Sequence, residues 1–165
     1  MKNGKKLLLL ALVVVLVAST VLAFTGPGKW VHVDKGQDVT VVSGRAGATF
    51  TDSFYSGTVN VYRKNTDYGW KAPKNFKFAD KKILGVKFYD DEWNRIQVVT
   101  GAVYVFFQIN PKLSKALQDG RLNIYYWDTW KGDWRLCPTF ALDSGSKAGC
   151  RIRYFGEYAL LFRDP

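Results

Sequence analysis

The feature that most limits how this chain can fold is a period-two alternation of apolar and polar residues, cut into short stretches. It recurs at 37–43, 58–63, 83–89, 95–100, 102–109, 121–127, 134–139, 149–155 and 158–163. Alternation at that period sends every second side chain to one face of an extended strand, so each stretch reads as a strand with a buried side. β-Branched and aromatic residues dominate the stretches, and turn formers such as Ser43-Gly44, Lys131-Gly132-Asp133 and Asp143-Ser144-Gly145 separate them. The pattern predicts an all-β fold, an antiparallel β-sandwich of about eight or nine strands, with a barrel as second choice. The 165 residues suffice for one such domain, expected over 29–165. At 47% hydrophobic and 23% charged, the composition excludes a disordered or collagen-like chain.

Two segments depart from the period. Asn110-Pro111 offers a cap and a proline at the first helical position. Leu113, Ala116 and Leu117 then form one stripe that Gly120 ends, so a short helix over 111–118 is expected as the crossover between sheets. The span 64–80 is rich in Lys, Asn, Gly and Pro and reads as a long surface loop, where binding residues tend to gather.

The N-terminus carries an address. Lys2, Lys5 and Lys6 precede an uninterrupted apolar run from Leu7 to Ala18, and Val21 and Ala23 place small side chains where signal peptidase requires them. Residues 1–23 therefore read as a hydrophobic export helix, a signal peptide cut after Ala23. The alternative is an uncleaved anchor, because 7–24 is just long enough to span a bilayer. Either outcome places the remainder outside the cytoplasm, secreted or on the extracellular face of the cytoplasmic membrane. Cleavage would lower the formal charge from +10 to +7, three lysines and no acid being lost. A basic exported chain is suited to cell-envelope glycans or other anionic polymers. Nucleic acid is not an expected partner, and membrane contact is expected only through 7–24.

Cys137 and Cys150 lie in expected strands, and their midpoint falls within the Asp143-Ser144-Gly145 turn. A hairpin centred there sets them directly opposite, and an oxidising compartment would join them as a disulfide. Aromatic residues concentrate in 124–136. A turn centred on Trp130 and Lys131 would pair Trp127 with Trp134 and Tyr125 with Leu136, leaving Trp130 at the tip. Such rings either fill a core or form a platform on which pyranose faces stack, and both readings stand for Trp127, Trp134 and Tyr125. Lys71, Lys74 and Lys77, interleaved with Trp70, Phe76 and Phe78, are a candidate docking surface for an acidic partner or, more simply, a solvated face.

Catalysis has little support. The single histidine, His32, has no nucleophile motif to serve, and neither Gly-x-Ser-x-Gly nor His-Glu-x-x-His occurs. Asp90, Asp91 and Glu92 are consecutive and read as a charged turn rather than a Ca²⁺ site. No metal or cofactor is expected. A glycosidase needs only two carboxylates, so spacing leaves that route open, but the expectation is a non-enzyme.

The C-terminal third carries three further motifs. They are Leu122-Asn123-Ile124-Tyr125-Tyr126-Trp127-Asp128, Gly132-Asp133-Trp134-Arg135-Leu136-Cys137-Pro138-Thr139 and Phe155-Gly156-Glu157-Tyr158-Ala159-Leu160. Together they resemble the closing hairpins of β-sandwich modules in bacterial secreted and cell-surface proteins. The resemblance covers roughly 45 residues by pattern, and Trp130 and the two cysteines depart from it. It implies an extracellular structural or binding unit with no shared catalytic residues. The expected function is thus a non-catalytic extracellular or cell-surface module with a structural or interaction role. The alternative is a carbohydrate-binding module using Trp130, Trp127 and Tyr125.

Overall fold

The alternating stretches resolve into two antiparallel sheets in the computed structural model, which describes residues 28–163. The chain runs β1 (Lys29–Val33), β2 (Val39–Ser43), β3 (Ala46–Thr51), β4 (Gly57–Asn65), β5 (Phe76–Phe78), β6 (Lys82–Asp90), β7 (Arg95–Ile96) and β8 (Ala102–Gln108). A 3-10 turn over Pro111–Leu113 and helix α1 (Ser114–Gln118) follow. Then come β9 (Leu122–Asp128), β10 (Asp133–Cys137), β11 (Thr139–Leu142), β12 (Lys147–Arg151) and β13 (Glu157–Arg163). The first sheet has the order β1-β4-β6-β13-β9-β10, with β5 paired to β13 and β7 to β6. The second has the order β11-β12-β8-β3-β2.

The sheets face each other across a shared core, a sandwich-like arrangement. Val59, Val61, Leu84, Val86, Phe88 and Ile124 of the first sheet meet Val41, Ala48, Phe50, Val105 and Phe107 of the second. Each fully buried Val, Leu, Ile or Phe side chain among these contributes about 1.5–3 kcal/mol relative to exposure. Helix α1 closes one end as expected, carrying the chain from β8 in the second sheet to β9 in the first. Asn110 Oδ1 accepts the Lys112 amide at 3.0 Å, and Ala116 and Leu117 are buried.

Thirteen strands are present among the described residues against the eight or nine expected. Strand β3 escapes a pattern search because Ala46-Gly47-Ala48 offers no β-branched or large residue. It is nevertheless central, between β2 and β8, and small residues are required there. A β-carbon on Gly47 would lie 2.6 Å from the Phe106 ring, which packs in that space. The stretch 95–100 shrinks to the two residues of β7 and then leaves the sheet. The stretch 134–139 breaks at Pro138, which cannot donate to a ladder: β10 belongs to the first sheet and β11 to the second.

The span 64–80 is not simply a surface loop. Its β5 segment pairs with β13, Phe78 opposite Leu161 and Phe76 opposite Arg163. Trp70, Ala72, Phe76 and Phe78 then pack on Ile83, Trp134, Ala159 and Leu161, forming a second small core on the outer face of the first sheet. That face is too apolar to meet water, and the strap covers it.

The disulfide Cys137–Cys150 is present, with a Cα–Cα distance of 6.0 Å. Its location differs from the hairpin expectation. Cys150 lies opposite Thr139, and Cys137 lies opposite Ile124, so the bridge ties one sheet to the other at the β10–β11 corner. Thr139 Oγ1 reinforces the corner, accepting the Ile124 amide at 2.8 Å and donating to the Cys137 carbonyl at 2.7 Å.

The expected export helix, the Ala23 cleavage position and the anchor segment 7–24 lie outside the described residues. Among the described residues no helix is long and apolar enough to cross a membrane.

Candidate functional site

The β9–β10 hairpin has the register that a turn at Trp130 and Lys131 predicts: Trp134 pairs with Trp127 and Leu136 with Tyr125. Asp128 holds the turn. Its Oδ1 accepts the amides of Trp130 and Lys131 at 3.1 and 3.2 Å, and its backbone carbonyl accepts the Gly132 amide at 2.8 Å. Gly132 takes a φ of 61°, which an unbranched backbone tolerates without strain. The result is a fixed tip carrying Trp130, which is 96% exposed.

Beside this hairpin lie two adjacent depressions, which together make a groove. The first, about 440 Å³, runs from Arg95 and Gln97 past Val98, Tyr126 and Tyr154 to Trp130. The second, about 710 Å³, continues past Tyr126 and Tyr154 to Leu136, Phe140, Arg151 and Arg153. Both parts share Tyr126, Tyr154 and Tyr158.

The backbone explains why the groove exists. After β7 the chain leaves the first sheet and runs along the segment between β12 and β13, bridging Val98 to Tyr154. Phe155 donates to the Gln97 carbonyl at 2.8 Å, and Val99 donates to the Arg153 carbonyl at 2.9 Å. That short pairing builds a wall facing the hairpin, with Tyr126 and Tyr154 between, their rings 6.0 Å apart and inclined by 35°. Tyr158 is buried beneath and donates its hydroxyl to the Tyr154 carbonyl. Burial raises the Tyr158 phenol pKa above its ordinary value, with Tyr126 and Glu157 adding to the effect. It therefore remains a neutral donor fixing Tyr154.

The charge lining is asymmetric. Arg95, Arg151 and Arg153 are exposed, and none has a carboxylate within ion-pair distance among the described residues. Arg151 donates to the Gly101 carbonyl at 3.2 Å. The carboxylates nearby are committed. Asp128 serves the turn amides and lies 3.9 Å from Arg135 Nε, and Glu157 accepts the Tyr62 hydroxyl at 3.0 Å and meets Lys64 Nζ at 3.6 Å.

The sequence candidates divide between this groove and the outer face. Trp130 and Trp127 line the groove, and Trp127 also borders a shallow cleft with Tyr68 and Trp70. Trp134 is 4% exposed, and its Nε1 donates to the Lys71 carbonyl at 3.0 Å, so it is a core ring. Tyr125 packs edge-on against Phe76 at 5.5 Å, and burial raises its phenol pKa. Trp127 meets Trp70 at 90° and Trp134 at 67°. A flat coplanar platform of Trp127, Trp134 and Tyr125 is therefore absent: the strap that fills the outer face also takes up their rings. Lys71, Lys74 and Lys77 are exposed on that strap and do not line the groove.

Sequence reasoning missed Tyr126, Tyr154, Val98 and the three arginines. A signal existed in Arg151-Ile152-Arg153, where alternation puts both arginines outward around a buried isoleucine. Nothing local shows that 97–99 lies beside them. In comparison with known proteins, no family model matches the chain and no curated protein matches it.

Proposed function

We propose that the chain is a non-catalytic interaction module of β-sandwich architecture. In this reading its N-terminal segment takes it out of the cytoplasm, released after Ala23 or held on the outer face of the membrane by 7–24, and its partner occupies the groove. One observation carries this. Of the eight large hydrophobic side chains exposed among the described residues, five line the groove: Val98, Trp130, Leu136, Phe140 and Tyr154. Exposed apolar surface concentrated in one place marks an interaction site, whereas scattered exposure carries no such meaning.

The non-catalytic part of the reading has its own support. The carboxylates at the groove already serve turn amides, a tyrosine hydroxyl and basic side chains. His32 lies on the opposite edge strand β1, 3.3 Å from Asp34.

Carbohydrate binding is the second reading, favoured by the Trp130 ring held out on a turn that Asp128 pins. Electrostatic docking through Lys71, Lys74 and Lys77 rests on exposure alone. Co-sedimentation of the exported protein with purified cell-envelope polysaccharide of the producing host separates these ideas. Retention should fall about tenfold in a Trp130→Ala/Tyr154→Ala double variant, a loss of roughly 1.4 kcal/mol. It should persist when the three lysines become alanine. Retention that ignores the groove variant but is lost with the lysines would transfer the function to the strap.

A further inference from the structure

The proposed binding role leaves the chemistry of the occupant open, and the lining of the groove narrows it. We propose that the groove binds a linear polysaccharide that carries carboxylates, a polyuronate, with sugar faces on Tyr154 and Trp130 and carboxylates on Arg151, Arg153 and Arg95. The inference rests on the groove being the interaction site.

Three independent observations converge. The site is extended: two adjacent depressions of about 440 and about 710 Å³ share Tyr126 and Tyr154 in their linings, which suits several units of a chain rather than one small ligand. The rings are spaced along it, Trp130 at one part, Tyr154 at the junction and Phe140 at the other. Aromatic faces exposed at intervals match the apolar faces of successive pyranose rings.

The charge is cationic where it is uncommitted. Three arginines lack carboxylate partners among the described residues, while Asp128 and Glu157 are engaged by groups of the protein itself. Guanidinium presents a planar fork that matches a carboxylate in two parallel hydrogen bonds, and it retains its charge at all physiological pH values. A concave groove does not fit a flat lipid surface. A polyphosphate would satisfy the arginines but leave the rings unused. A neutral glycan would use the rings but offer the three exposed guanidinium groups only uncharged hydroxyl oxygens, without the charge-assisted, bidentate pairing a carboxylate supplies.

Affinity electrophoresis of the full chain, purified as its host exports it, tests this with polygalacturonate as the probe. Its fully methyl-esterified form, inorganic polyphosphate and oligothymidylate are comparators. Polygalacturonate should bind, and esterification should weaken binding about tenfold, since it removes the charge while keeping the ring. Arg151→Gln/Arg153→Gln should produce a similar loss, Tyr154→Ala should weaken both sugar forms, and added salt should weaken only the charged one. An Arg153→Lys variant separates charge from the bidentate fork, and near-UV circular dichroism checks that each variant is folded.

Equal binding of esterified and free polymer would overturn the proposal in favour of a neutral glycan. Equal or tighter binding of polyphosphate or oligothymidylate would overturn it in favour of plain charge docking or base stacking. No binding of polygalacturonate, with envelope co-sedimentation still dependent on Trp130 and Tyr154, would overturn the polyuronate and leave the groove as the interaction site. Loss of that dependence would instead remove the interaction site itself.

Discussion

Two tryptophans on one hairpin, four residues apart, have opposite roles. Trp134 sits beneath the strap among Ile83, Ala159 and Leu161, and its indole nitrogen binds the Lys71 carbonyl. Trp130 stands on the turn in water. Trp134→Ala should cost about 3–5 kcal/mol, because truncation leaves a cavity and an unpaired carbonyl beneath a covering that cannot collapse fully. Trp130→Ala should change stability by less than about 0.5 kcal/mol. Urea unfolding of the two variants checks both values. A comparable loss in each would mean that the strap is not the cover described here. The sequence identified the hairpin and the register of these residues but not their roles. Identity and alternation say which face a ring is on, and only the chain that returns over that face decides whether the ring is wet.

At the scale of elements, the β10–β11 corner is where the two sheets are joined most directly. A proline ends one ladder, a threonine bonds back to the strand just left, and a disulfide crosses between the sheets. The two cysteines are 13 residues apart, and closing a loop of that size stabilises the fold by about 3 kcal/mol in the chain-entropy model. Cys137→Ser/Cys150→Ser should lower stability by about that amount. Hydrogen exchange should quicken first in β11, the edge strand of the second sheet, while β4 and β6 remain protected. Uniform loosening of both sheets would argue against the corner as the element the bridge secures. The pairing of the cysteines was legible because the sequence contains only two. The sheet-to-sheet path was hidden because the observed hairpin register sets Thr139, not Cys137, opposite Cys150, and Cys137 lies beyond Pro138 in the other sheet.

At the scale of the whole molecule, the proposed export rests on the disulfide and on the apolar run read in the N-terminal sequence. An oxidised cysteine pair persists in compartments outside the cytoplasm. Intact mass of the protein recovered from its native host should show either a chain beginning at Phe24 or one that retains residues 1–23. The first outcome means release, and the second means anchoring by 7–24. Free thiols at Cys137 and Cys150 in that material would contradict export by either route.

Periodicity, turn chemistry and the cysteine spacing were sufficient for an all-β chain, for its crossover helix and for the disulfide, because each depends on neighbours close in sequence. The strap over the outer face, the central place of Ala46-Gly47-Ala48 and the groove depend on segments far apart. Val98 meets Tyr154 across 56 positions, and Lys71 meets Trp134 across 63. Hydrophobic burial is non-directional, so an apolar face states that it needs a cover without naming the segment that provides it. Only the packed chain decided which aromatic rings were covered and which were left exposed.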